Sequence, residues 1–185
     1  TMDVPHTGLV NGESVTSYGV GYATCVKGVN HIAGIIGGAS AGDILIGPEQ
    51  DSTWVIDGAD SGTLNGSFAF AGIENLTGSA DYDDSFTVTA TGSLSGTLSG
   101  NPYGLVSEAT HLESPMSPEA VAEGTDTLTL SGGSYTNVTF IVTSPDTGVI
   151  ARDGDMLRFA GLESAEDNSA AANRTFTSSE NTTQP

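Results

Sequence analysis

The chain repeats itself, and a repeat constrains a fold strongly because each copy must bury its apolar face against a neighbour. The stretch "TWVIDGADSGTLNGSFAFAGIEN" from Thr53 aligns with "VTFIVTSPDTGVIARDGDMLRFAGLES" from Val138. Trp54-Val55-Ile56 falls on Phe140-Ile141-Val142, and Asp60-Ser61-Gly62-Thr63-Leu64 falls on Asp146-Thr147-Gly148-Val149-Ile150. Phe70-Ala71-Gly72-Ile73-Glu74 falls on Phe159-Ala160-Gly161-Leu162-Glu163. Upstream, "GDILIG" at Gly42 corresponds to "TDTLTL" at Thr125. The offset is 83 at Asp43/Asp126, 86 at Trp54/Phe140 and 89 at Phe70/Phe159, a drift that short loop insertions explain. The matched anchors are apolar and the matched punctuation is Gly with Asp. Matched acids occur at Asp43/Asp126, Asp60/Asp146 and Glu74/Glu163, with no matched His, Cys, Lys or Arg beside them. That is a structural repeat rather than a catalytic one.

Each copy runs short strand, tight turn, short strand. Val, Thr, Ile, Tyr and Phe sit in pieces of four to eight residues between Gly, Asn, Asp and Ser, and no long amphipathic helix can be placed. The chain is therefore expected to be all-β. Asn65-Gly66 fits either a type I′ hairpin turn or the corner of a parallel β-helix. The expected fold is a parallel β-solenoid (β-helix) of two related modules, the alternative a β-sandwich of antiparallel hairpins. The expected division is an N-terminal capping or strand-exchange segment over 1–36, a first module over 37–100, a linker or loop over 101–124, a second module over 125–170 and a polar tail over 171–185. The 101–124 stretch holds three of the seven prolines.

Charge narrows the function classes. Asp and Glu number 23 against 4 Lys and Arg, a formal net charge of −19 over 185 residues. No basic cluster exists to meet a phosphate backbone or an anionic headgroup, so neither nucleic acid nor membrane insertion is expected as a partner. No apolar run approaches a membrane span. The chain opens on Thr with no signal-peptide pattern, as a processed or excised segment would. Its single cysteine, Cys25, permits no intrachain disulfide and reads as a small buried apolar residue.

"GIENLTGSADYDDSFTV" (Gly72 to Val88) and "IIGGASAGDILIG" (Ile35 to Gly47) resemble degenerate forms of the Gly/Asp-rich repeats in RTX-like and β-solenoid segments of large secreted bacterial adhesins and surface proteins. The resemblance spans Ile35 to Asp167 with gaps. It implies an extracellular or cell-surface protein, a repetitive β-scaffold and an adhesive or structural role. RTX nonapeptides place Gly-Gly-x-Gly-x-Asp in tandem to sandwich Ca²⁺ between turns. Here Gly78 to Asp84 lacks the later glycines and neither stretch has an immediate second repeat, so no Ca²⁺ stack is expected.

Asp81, Asp83 and Asp84 form the best metal candidate, a turn able to offer hard oxygen ligands to one Ca²⁺; the plainer reading is a solvated turn whose carboxylates bond backbone amides. His6, His31 and His111 lack metal spacing, and no nucleophile elbow, P-loop or dinucleotide fingerprint occurs. Trp54, paired with Phe140, reads as core. Sequons at Asn65, Asn75, Asn137, Asn173 and Asn181 are glycosylation candidates in a secreted chain, or turn and ladder residues otherwise. The expected function is a non-catalytic structural subunit or segment of an extracellular fibre, adhesin stalk or surface layer. It would self-assemble through strand and end-to-end contacts, with divalent cations or glycans as further partners and no cofactor required. The alternative is a Ca²⁺-dependent carbohydrate-binding module using Tyr82. A polysaccharide-degrading enzyme would need a cleft gathering two acids and one of Lys27, Arg152, Arg158 and Arg174.

Overall fold

The computed structural model describes residues 33–38, 42–100 and 124–178. Cys25 and most of the 1–36 segment, all but one residue of the 101–124 linker, and Asn181 lie outside them. The described residues form fourteen strands and no helix. In chain order these are β1 Gly34–Ile36, β2 Ile44–Ile46, β3 Ser52–Gly58, β4 Ser61–Leu64, β5 Phe68–Ala71, β6 Asn75–Thr77 and β7 Asp84–Thr89. There follow β8 Thr97–Ser99, β9 Thr127–Ser131, β10 Ser134–Ser144, β11 Thr147–Arg152, β12 Asp155–Ala160, β13 Ser164–Asp167 and β14 Ala170–Ser178.

Two mixed seven-stranded sheets result, ordered β1-β5-β4-β3-β7-β9-β13 and β14-β10-β11-β12-β8-β6-β2. The chain alternates between them, and at two points it stays in one sheet for a three-stranded meander, β3-β4-β5 and β10-β11-β12. Only the middle strand of each meander is antiparallel to its neighbours. In the first sheet every strand except β4 runs one way, and in the second every strand except β11 does. Parallel pairing and antiparallel hairpins, the two expected alternatives, thus coexist within each sheet. The modules also interleave: β7 pairs β9 and β8 pairs β12.

The repeat occupies matching positions. Trp54 pairs Leu64 and Ile56 pairs Gly62; Phe140 pairs Ile150 and Val142 pairs Gly148. A register shift follows Ile56 and another follows Val142, and two-residue turns at Ala59-Asp60 and Pro145-Asp146 close both hairpins. The second turns diverge by the insertion. Asn65 and Gly66 have φ of 51° and 67° and lead a three-residue loop, while Asp153 and Gly154 have φ of 45° and 103° in a two-residue loop. Paired positive φ is what type I′ geometry demands, and it answers the Asn65-Gly66 ambiguity in favour of a hairpin.

One core joins the sheets, with Trp54, Ile56, Phe86 and Val88 from one and Leu76, Leu98, Ile150 and Leu157 from the other, all fully buried. Trp54 stacks on Phe86 with centroids 5.6 Å apart and meets Phe70 edge-on at 6.2 Å, so its pairing with Phe140 in the repeat reflects core filling. Residues 171–178 of the polar tail belong to β14. β14 runs parallel to β10 from Ser134↔Ala170 to Val142↔Ser178, and Phe176 stacks on Phe140 at 5.0 Å.

Glycine sits where each meander is tightest. Gly62 faces Phe70 across the pair, and Gly148 faces Phe159. A Cβ at Gly62 would fall on the Val55 carbonyl oxygen and lie 2.9 Å from the Phe70 ring; at Gly148 it would lie 2.7 Å from the Phe159 ring. The phenyl rings fill the space the glycines leave. Gly66, by contrast, needs only its positive φ, with open space around it. Gly62→Ala is therefore expected to cost about 2–3 kcal/mol by forcing strand or ring apart. Gly66→Ala should cost about 1 kcal/mol from backbone strain alone. Urea denaturation of both variants checks the order, and equal costs would contradict the packing account.

Candidate functional site

Strand starts at the corners where the chain passes from one sheet to the other bring carboxylates together. In a parallel stack each strand begins with amides that lack a partner unless a side chain or the next rung supplies one. Asp84, opening β7, is 1% exposed: its Oδ1 accepts from the Trp54 indole N–H at 3.1 Å and its Oδ2 from the Ser79 amide at 2.6 Å. Asp126, just before β9 and 4% exposed, accepts the Asp84 amide on Oδ1 at 2.8 Å. Glu163 in turn accepts the Asp126 amide at 2.5 Å, and Glu74 accepts the Asp43 amide at 2.8 Å. Asp60 and Asp146 use their carbonyls alike, accepting the amides of Ile73 and Leu162. The acids matched by the repeat are therefore matched in structural role.

An outer row does the same work in solvent. Asp51 accepts the Asp83 amide and Asp83 accepts the Thr125 amide. Asp81 is exposed, Asp83 faces solvent and Asp84 is buried, so the structure does not gather these three carboxylates into one cage. Among the described residues no group of three or more His, Cys, Asp and Glu side chains is placed to hold a metal ion. Tyr82 stands exposed between Asp81 and Asp83.

Burial pushes the Asp126 carboxyl up to about 7, the charges of Asp84, Glu163 and Asp83 add to it, and the Asp84 amide opposes. Burial likewise raises Asp84, against the bonds from Ser79 and Trp54. Hydrogen bonds from Ser144 hold Asp146 down, and the amides of Thr136 and Asn137 hold Asp153 down. For Asp167 burial pushes upward, but Ser169 and Arg174 outweigh it and the net shift is down.

Two of the four cations are engaged in internal contacts. Arg152 is 3% exposed and bonds the Gly92 carbonyl at 2.8 Å, Asp155 at 2.6 Å and the Tyr135 hydroxyl at 3.3 Å, with its guanidinium 5.4 Å from the Tyr135 ring centroid. Arg174 pairs with Asp167 at 2.9 Å. Arg158 is exposed. Of the sequon residues, Asn65 accepts the Thr53 amide and Asn75 bonds both the Thr97 amide and the Asp43 carbonyl, which makes each a structural cap. Asn137 and Asn173 are exposed and bond each other at 3.2 Å across β10 and β14.

A cleft missed by sequence reasoning opens between β13 and β14, with a volume of about 490 Å³. Phe140, Val142, Phe159, Leu162 and Phe176 supply its apolar part, and Glu163, Glu166, Asp167 and Arg174 also line it. The repeat held the signal. Val142 is the counterpart of fully buried Ile56, yet it is 36% exposed because the strand beyond it is the last in its sheet. Comparison with family models, curated proteins and solved structures yields no match for the chain.

The carboxylates give a pH dependence whose sign is fixed. Folded Asp126 holds a proton that the unfolded chain releases near pH 4, so its favourable contribution is complete below that pH and is lost as pH rises through about 7, and the raised Asp84 carboxyl acts in the same direction. The slope approaches 1.4 kcal/mol per pH unit per proton, on the order of the linkage limit. Melting temperature is expected to fall between pH 5 and 8. Asp126→Asn, which keeps an acceptor for the Asp84 amide, should flatten that fall and stabilise the protein at pH 8. A variant melting curve parallel to the parent's at every pH would refute this reading.

Proposed function

We propose that the chain is a non-catalytic structural subunit or segment of an extracellular fibre, adhesin stalk or surface layer, built from stacked strands that continue from one copy to the next. The observation that carries the reading is the polarity of the open edges. β1 and β13 end the first sheet and run in the same direction; β2 and β14 end the second and also agree. Copies stacked end to end would therefore continue both sheets with the parallel pairing already used inside. Such a contact is heterologous, and it yields filaments if it does not close. We read the architecture as two facing sheets wound as a flattened, interrupted coil, intermediate between solenoid and sandwich. The Gly/Asp resemblance to secreted adhesin repeats supports an extracellular or surface setting.

The chemistry around the acids favours scaffolding. Buried and outer carboxylates are engaged with backbone amides, and Arg152 and Arg174 are engaged in internal contacts. The cleft between β13 and β14 does set Glu163 and Glu166 beside Arg174, the juxtaposition a polysaccharide-degrading enzyme needs. Against that reading, Arg174 is tied to Asp167 and Glu163 to the Asp126 amide. Exposed Tyr82 between Asp81 and Asp83 favours, as a second reading, a Ca²⁺-dependent adhesive or carbohydrate-binding module.

Electron microscopy of the purified chain, with Ca²⁺ and with EDTA, tests both. Filaments with a regular axial repeat in both conditions are expected. Filaments lost in EDTA would add bridging cations, and single particles throughout would overturn the assembly reading in favour of a binding module.

A further inference from the structure

We infer that the cleft between β13 and β14 is the acceptor for the β1–β2 end of a second copy, with Phe176 as its anchor. This rests on the assembly reading above and names the surfaces that perform it. The internal repeat points to this contact. In the first copy of the repeat, β3 is covered by the parallel strand β7, and β7 is covered in turn by the parallel strand β9, which sets Leu128 and Leu130 beside Phe86 and Val88. In the second copy, β10 is covered by the parallel strand β14, which sets Phe176 beside Phe140. β14 is the edge, so among the described residues no strand takes on β14 the place that β9 takes on β7. Phe176 is consequently 72% exposed while Phe86 is fully buried.

Half of this end is already closed. Near the β13–β14 turn, Arg174 reaches across to Asp167 at 2.9 Å and to the Ser169 carbonyl. The half remote from the turn is the apolar cleft around Phe140, Val142, Phe159, Leu162 and Phe176. An occupant must bring a strand parallel to β14 and a strand parallel to β13, joined in the order first sheet then second sheet, with apolar side chains facing between the sheets. The β1–β2 end has those properties. β1 runs as β13 does, β2 runs as β14 does, and Ile35 and Leu45 face the core from the last rung. Main-chain groups are available too. Ala33 and Gly37 bond β5 through the Ala69 amide and the Ala71 carbonyl, so by strand alternation the Ile36 amide points away from β5.

The size of the contact sets its strength. The occupant's strands β1 and β2 are three residues each, so the paired face is roughly 10 Å long, and two sheet edges make it roughly 15 Å across. That is on the order of 150 Å² a side, about a fifth of the ~800 Å² per partner in a standard interface. Added repulsion from a net charge of −19 makes association weak at low salt and stronger when salt screens it. Assembly is thus expected to depend on concentration and ionic strength.

Sedimentation velocity on the whole chain at rising concentration, in 0.15 M and 1 M NaCl, provides the test. The parent should grow in mass with both. Phe176→Asp spoils the cleft at an exposed side chain, and Ile36→Pro removes an outward amide from β1 without touching its bonds to β5. Each variant alone should stay monomeric, with circular dichroism like the parent's. Mixed one to one they should form a dimer and stop there, since each retains the end that the other lacks.

A parent that associates while Phe176→Asp associates equally well, or a mixture that gives no dimer, would overturn the proposal and leave the assembly reading standing. A parent that never associates overturns both. Loss of association on deleting residues 1–32, with Ile36→Pro still associating, would reassign the cleft to that segment and overturn the β1–β2 end as its occupant.

Discussion

The structure depends on satisfying backbone amides at strand starts without water. A stack of parallel strands collects these starts at the two corners where the chain crosses between sheets, where the core begins and an unpaired amide costs about 1–3 kcal/mol. Carboxylates one rung away take them up. Asp126 serves the Asp84 amide, Glu163 serves Asp126, Glu74 serves Asp43, and Asp84 also closes on the Trp54 indole at the centre of the core. Each acid therefore does two jobs, capping one strand and setting the position of the next. The arrangement explains why the acidic residues recur with the apolar anchors, and why a chain so short of Lys and Arg tolerates buried carboxylates.

That solution carries an electrostatic cost. Asp84 and Asp126 are buried near one another with Asp83 and Glu163 close by, and burial raises both pKa values. Holding them ionised at neutral pH opposes folding, whereas the depressed Asp146, Asp153 and Asp167 favour the folded state above the carboxylate range. The two sets pull the stability optimum toward mildly acidic conditions from opposite sides.

Much of the fold was legible in the sequence and the rest was hidden for physical reasons. The repeat predicted equivalent register at Trp54 and Phe140, at Gly62 and Gly148, and at Phe70 and Phe159, because apolar anchors and close-approach glycines admit few substitutes. Alternation of Val, Thr, Ile and Phe predicted strands. Pairing partners were not legible: "SFAF" and "SFTV" look alike, yet β5 joins a hairpin while β7 crosses to pair β3 and β9 in parallel. Within the polar tail Arg174 and Phe176 lie among Ser, Thr and Asn, and only the neighbouring Asp167 and Phe140 reveal the ion pair and ring stacking that they make. Asp81 and Asp83 lie exposed in the turn before β7 while Asp84 opens the strand and is buried, a division that their adjacency in the sequence does not reveal.

The path of the chain through the sheets has a mechanical consequence. Hydrogen bonds between strands lie along the stack, so tension between Gly34 and Ser178 peels edge strands one bond at a time. From the first end, β1 and β2 detach easily, and the pull then reaches β3, fourth in its sheet and held between β4 and β7. From the other end β14 and β13 yield, and the pull reaches β12, fourth in the second sheet and held between β11 and β8. The two meanders act as stops, and a stretched molecule would give up two strands at either end, one from each sheet, before its centre bears load from both flanks at once.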